Sequence, residues 1–229
     1  MYIIENYNRI RSHIDTIAVS CGRDPNTITL LPVSKTFPAK TVQDSIDAGL
    51  KLFGENKIQE ASSKMELLQG DFSFHLIGHL QSNKAKHAVK LFEMIHSVDK
   101  LSTAKKIARE AIKIGKTQKI LVQVNTSGEE SKFGCTPGEA LEIFTGLKGA
   151  EGLDVQGLMT IGPLTDDLEK IRASFIMLRK LRDSLQDTLS MRLPHLSMGM
   201  SGDYKIAIEE GATILRIGSA IFGTRSYPT

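Results

Sequence analysis

The chain has 229 residues, 41% hydrophobic and 24% charged, the balance of an ordinary globular protein. A net charge of +3 gives no strong pull toward nucleic acid or a membrane surface, and with no Trp and few other aromatics there is no stacking platform for bases. Two cysteines, Cys21 and Cys135, stand far apart and match no metal or redox spacing, so free thiols in a reducing cytoplasm are expected.

The chain opens on Ile3, Ile4, Tyr7, Ile10, Ile14 and Ile17 at helical spacing. Glu5, Arg9, Arg11 and Asp15 interrupt any signal-peptide core, and no later apolar run approaches the ~20 residues that span a bilayer. Short β-rich runs then recur at "ITLLPVSK" (28–35), "LKLFGEN" (50–56), "FSFHLIGHL" (72–80) and "EMIHSVD" (93–99). Four more follow at "KILVQVNT" (119–126), "LDVQGLMTIG" (153–162), "PHLSMGMS" (194–201) and "TILRIGSAIFG" (213–223). Helical stretches separate them. The basic run 100–119 holds seven Lys/Arg against one Glu, with an apolar stripe of Leu101, Ala104, Ala108, Ala111 and Ile112, which reads as the solvated face of an outer helix. Residues 167–186 carry Leu168, Ile171, Phe175, Leu178, Leu181 and Leu185 at spacings of three and four, behind the capping oxygens of Thr165-Asp166-Asp167. A shorter helix over 203–212 closes at Gly211.

Eight strands alternating with helices, many apolar on both faces, predict a parallel sheet covered by helices. The expected fold is α/β: a (β/α)₈ TIM barrel over residues 1–229 as one domain, with an extra N-terminal helix. An open doubly wound sheet competes, but no strand leads into a G-x-G-x-x-G turn. The sequence ends at "TRSYPT", just past strand eight, so no second domain is expected. Pro32 is the oddity, because it would remove a ladder bond from a central strand; a bulge or a later strand start is expected there.

Barrel chemistry gathers at the C-terminal ends of the strands, where Lys35, Asn56, His79, Asn125, Ser201 and Gly218 fall. On strand eight Ile214, Arg216 and Gly218 share a face, which puts Arg216 inside and in need of an acceptor, either a carboxylate or a ligand. The turns "MSGD" and Gly218-Ser219, after strands seven and eight, have the composition of an anion cradle. A lysine facing such a cradle suits a phosphorylated aldehyde held as a Schiff base. Pyridoxal phosphate satisfies this, and so does a phosphosugar in a cofactor-free aldolase.

The motifs "VSKTFP", "FGENKIQEA", "FHLIGHLQSNKAK", "IHSVD", "GLMTIG", "LSMGMSGDYKIAI" and "RIGSAIFG" run in order through all eight strands and resemble the YggS/PROSC family of pyridoxal phosphate homeostasis proteins. The resemblance implies an alanine-racemase-type barrel holding pyridoxal 5'-phosphate as an aldimine on Lys35. It places Ser201, Gly218 and Ser219 on the phosphate, Arg216 on the pyridine nitrogen, and Asn56, His79 and Met159 around the ring. The family more often has Thr at 219 and Ala at 32. Members are similar in acting as non-catalytic carriers or regulators of the cofactor, so PLP-dependent apoenzymes are possible partners.

An arginine beside the ring nitrogen disfavours its protonation and weakens the ring as an electron sink, while Lys35 is the only obvious base. A cytoplasmic monomer that binds PLP without strong catalysis, nucleic acid, membrane or metal is therefore expected. A small PLP-dependent racemase or decarboxylase is the alternative. His75 and His79 share a face but lack a third zinc ligand. His13, His87 and His96 read as surface or satisfied residues, and His195 lies at the far end of its strand. Lys132, in "ESKFG", reads equally as a second anion contact or as loop solvation.

Overall fold

In the computed structural model, described here for residues 2–223, eight parallel strands form one sheet in the order β1-β8-β7-β6-β5-β4-β3-β2. They are β1 (Thr29–Pro32), β2 (Leu52–Glu55), β3 (Ser73–Leu76), β4 (Phe92–Val98), β5 (Gln118–Gln123), β6 (Leu153–Met159), β7 (His195–Ser197) and β8 (Ile214–Ile217). The helices are α1 (Tyr2–Ser20), α2 (Ala39–Asp47), α3 (Ile58–Met65), α4 (Ala85–Leu91), α5 (Leu101–Ile112), α6 (Pro137–Leu147), α7 (Leu168–Leu189), α8 (Tyr204–Glu209) and α9 (Ser219–Phe222). β1 and β2 meet at a single parallel bridge, Val33 with Gly54, where Ser34 N–H donates to Gly54 O at 3.0 Å. That narrow seam brings the sheet round into a barrel.

Alternation along each strand sorts side chains into two layers. Phe53, Phe74, Ile95, Ile120, Val122, Leu158, Leu196, Leu215 and Ile217 face outward into the helix layer and form the main core. Leu31, Met94, Leu121, Met159 and Ile214 face inward as a separate apolar plug that fills the barrel's interior. The site's floor is therefore a packed layer and not a pore.

Strand eight is shorter than its apolar run. It ends at Ile217, and Ser219–Phe222 coil into α9, so the Gly218-Ser219 pair becomes a strand-to-helix turn. The α5 stripe is rotated from its expected position: Thr103, Ala104, Ile107 and Ala111 are buried, and Ile112 is exposed. α7 buries Ile171, Phe175, Leu178 and Leu185 as its spacing predicts, while Leu168 stands 60% exposed. In α1, Asn6 joins Ile10, Ile14 and Ile17 in the interface and donates to Ile221 O at 3.0 Å, which fastens the N-terminal helix to α9. Among the described residues no helix is long and apolar enough to cross a membrane.

Pro32 causes neither a bulge nor a late strand start. Thr29 donates its N–H to the O of Thr213, just before β8, and Val33 to Ile217 O of β8, each at 2.8 Å. By the same alternation the nitrogen of Pro32 faces β2, below the bridge, where among the described residues β1 and β2 share no further pairing. Its missing donor thus falls on the seam, the one edge that tolerates it. Pro32→Ala should change unfolding free energy by less than about 1 kcal/mol. Leu31→Ala, which opens the inner plug, should cost about 2–5 kcal/mol. Urea denaturation of both variants measures the contrast, and a large loss at Pro32 would contradict the seam placement.

Candidate functional site

The C-terminal ends of the strands surround a cavity of about 440 Å³, within the range of small-molecule sites. Lys35, Asn56, His79, Ser201, Arg216, Gly218 and Ser219 all line it. Met159 does not; it is fully buried in the plug beneath. Asn125 also stays outside, because its side chain donates to Glu129 O at 2.8 Å and organises its own loop.

Lys35 follows β1 in a turn, two residues beyond the inward-facing Val33, so strand alternation delivers it to the cavity. On the opposite wall Ser201 and Gly202 follow β7, and Gly218 and Ser219 follow β8. The Ala220 N–H donates to Ser201 Oγ at 3.5 Å and ties these two turns together. Asn56 Oδ1 is buried with no hydrogen-bond partner among the described residues. Gly78 makes the neighbouring wall possible: a Cβ there would lie 2.1 Å from Asn56 O, so only glycine lets the β3 loop pass so close to the end of β2.

Arg216 is 4% exposed and lies between these walls. It donates to Ser197 Oγ at 2.9 Å and to Thr160 O at 2.8 Å. Among the described residues no carboxylate comes within salt-bridge reach of it; Asp203 acts only from a distance. Burial lowers its pKa to about 10 and Asp203 pulls it back up, so the guanidinium stays cationic at neutral pH.

Arg216 also fixes a chain of hydrogen bonds running down the barrel. A guanidinium can only donate, so Ser197 Oγ accepts from it and turns its own proton to His96 Nδ1, 2.9 Å away. His96 then carries its proton on Nε2 and donates to His75 Nδ1 at 3.0 Å. Both imidazoles are neutral. Burial lowers His75 to about 4, with Glu93 opposing and Lys119 and His195 reinforcing. Burial first, then the repulsion it would meet from a protonated His75 and from Arg216, hold His96 well below its usual value. His195, at the start of β7, contacts Thr213 Oγ1 at 3.2 Å and is lowered by burial.

At the mouth, His79 stacks on Phe133, with ring centroids 4.0 Å apart and planes at 12°, and its Nδ1 lies 3.5 Å from Asp99 Oδ2. His79 and Lys35 thus line the same cavity. Lys132 lies off the cavity and pins loops together, donating to Gly162 O at 2.6 Å and pairing with Glu129 at 2.8 Å. Burial pushes the Cys135 thiol up to about 12, so it is no nucleophile.

The alanine racemase N-terminal domain family matches residues 4–226. A pyridoxal phosphate homeostasis protein of Aquifex aeolicus is 42% identical over 228 residues, 99% of this chain and 100% of that protein. The chain belongs to the pyridoxal phosphate homeostasis protein family. PipY of Synechococcus elongatus PCC7942, solved with PLP bound, superposes with a TM-score of 0.81 at 35% identity, covering 92% of this chain and all of that one. Alanine racemase of Clostridium difficile 630 superposes at 0.76 with 18% identity, covering all of this chain and 57% of that one, which shows a shared fold.

In this family member, motif reading missed Gln123, Phe133 and Met200 as lining residues, and it missed the descent from Arg216 to His75. Phe133 lay beside Lys132 in a recognised motif, but nothing in its spacing tells that it stacks on a histidine from another loop. The buried imidazoles have a measurable consequence. Unfolded histidines titrate near 6.5 and folded His75 near 4, so between those values the unfolded chain binds more protons and stability falls as pH falls. His75 alone contributes on the order of 3 kcal/mol of this loss. His75→Asn should remove about one proton's worth of the slope of urea-unfolding free energy against pH. A wild-type protein with flat stability across this window would contradict neutral, buried imidazoles.

Proposed function

We propose that the protein binds pyridoxal 5'-phosphate through Lys35 and acts in intracellular PLP homeostasis as a carrier and not as an enzyme. One observation carries the reading: an amine, a buried guanidinium and two Ser/Gly turns line a single cavity of the right volume. Relatives named for PLP homeostasis over their whole length, and PipY with PLP bound, support it.

The residues present fit the cofactor. Asn56 offers an acceptor without a donor, Arg216 offers positive charge without a contacting carboxylate, and the turns at Ser201 and Gly218-Ser219 offer hydroxyls and close backbone approach. When bound, pyridoxal phosphate supplies an aldehyde that condenses with a lysine amine and releases water. Lys35 would hold that end, Ser201, Gly218 and Ser219 the phosphate, Arg216 the ring nitrogen, and Asn56 and His79 the ring edge and face. Met159 would act from below, as part of the floor that excludes water.

The arrangement disfavours turnover. Arg216 keeps a positive charge where carbanion chemistry wants a protonated ring nitrogen, and the opposing charge raises the cost of that proton. His79 has one face covered by Phe133, which restricts its reach as a second acid or base. Action as one domain, a monomeric state, a cytoplasmic location and delivery to PLP-dependent apoenzymes belong to the same reading.

Borohydride reduction of the PLP-loaded protein followed by peptide mapping should place the adduct on Lys35, and Lys35→Ala should abolish it; a full adduct in that variant would assign the chemistry to another lysine. Incubation with a panel of amino acids in deuterated water should give no sustained exchange of the α-proton. Continuous exchange with any of them would make the protein a small racemase or decarboxylase.

A further inference from the structure

The turn that carries Lys35 is held from outside the cavity by buried charges on α3 and β2. Phe37 N–H donates to Ser34 O at 3.1 Å, closing a four-residue turn with Lys35 and Thr36 at its centre. Thr36 has φ +70° and Lys35 has no positive φ, the pattern of a type II turn. That turn wants glycine at its third position; a β-branched threonine there is an outlier that the surroundings must impose.

The surroundings do so on both sides of Lys35. Glu60 accepts the Thr36 N–H at 2.5 Å. In a type II turn the central peptide is flipped relative to type I, so a carboxylate on that N–H selects the flipped form. Lys64 donates to Ser34 O at 2.8 Å and to Glu55 Oε1 and Glu60 Oε1, each at 2.7 Å, which uses all three ammonium protons. Ser34 Oγ adds a bond to Glu55 Oε1 at 2.6 Å. The Lys64 side chain is 6% exposed and that of Glu55 is fully buried, and Glu55 Oε2 has no partner. Such burial of charge gains little stability by itself, so it calls for another use.

We infer that Glu60 and Lys64 are positioning residues that clamp the Ser34–Phe37 turn and so pre-organise the Lys35 amine for covalent capture of an aldehyde. Neither side chain lines the cavity. A preset turn spares the ligand the cost of ordering the lysine's backbone, and the benefit goes only to ligands that bond to the amine.

The inference rests on Lys35 being the attachment residue, and the test separates the two claims. Wild type, Glu60→Ala, Glu60→Gln and the double variant Thr36→Gly/Glu60→Ala are titrated with PLP, read by visible absorbance and by the borohydride-trapped Lys35 peptide. The same proteins are titrated by calorimetry with pyridoxine 5'-phosphate, which carries an alcohol in place of the aldehyde. Glu60→Ala should weaken PLP binding about tenfold and leave pyridoxine 5'-phosphate unchanged. Glu60→Gln, which keeps an acceptor, should lose less, and glycine at 36, which favours the left-handed conformation, should restore binding in the double variant. Glu60 is chosen because its side chain is 22% exposed, whereas removing Lys64 would strand the buried Glu55. Unchanged PLP binding in Glu60→Ala, or an equal loss for both ligands, would overturn the clamp alone. A wild-type protein that traps nothing at Lys35 would overturn the attachment residue and the clamp with it.

Discussion

A guanidinium buried in a barrel, with no carboxylate in contact among the described residues, is the constraint from which the site follows. Taking such a charge out of water costs several kcal/mol even after relaxation, and Arg216 recovers only part of this from Ser197 and the Thr160 carbonyl. It must donate, so it orients Ser197, His96 and His75 in one direction, while burial keeps both imidazoles neutral. Its field reaches the cavity that it lines, where an anionic ligand would offset part of its charge. The same field opposes protonation of any ring nitrogen set against it, so the interaction that favours binding of a pyridoxal phosphate disfavours its use as an electron sink.

The turn at Lys35 shows the complementary device. Its charges sit behind the wall: Lys64 donates to two carboxylates and a carbonyl, and one of those carboxylates accepts from the backbone of the turn. The two halves of the mouth thus differ in kind. β8 presents a buried guanidinium, and the turn after β1 presents an amine on a backbone that is hydrogen-bonded from outside the cavity. Between them lies only the width of the barrel, set by the eight-strand sheet and its seam at Val33 and Gly54.

The strands and the inward set were legible because a period of two is unambiguous once a parallel barrel is assumed. Leu31, Val33 and Lys35 fall on one face, as do Ile214, Arg216 and Gly218. Met159 came from the family resemblance alone, and its side chain lies in the plug beneath the cavity, a depth that a motif match does not carry. The conversion of strand eight's tail into α9 was hidden by its apolar run, which suits a buried helix as well as a strand. The α5 stripe drifted because alanines define a face weakly, and Ile107 rather than Ile112 decided it. The partnership of His75 with His96, or of Glu60 with Thr36, had no local signal, because each joins residues brought together only by barrel closure or by a helix folding back.

The most direct measurement is a crystal structure of the protein grown with pyridoxal 5'-phosphate. Density should run unbroken from Lys35 Nζ to the ring, with the phosphate against Ser201, Gly218 and Ser219 and the guanidinium of Arg216 facing the ring nitrogen. A phosphate seated elsewhere, or a ligand that leaves Arg216 facing an empty cavity, would contradict the assignment.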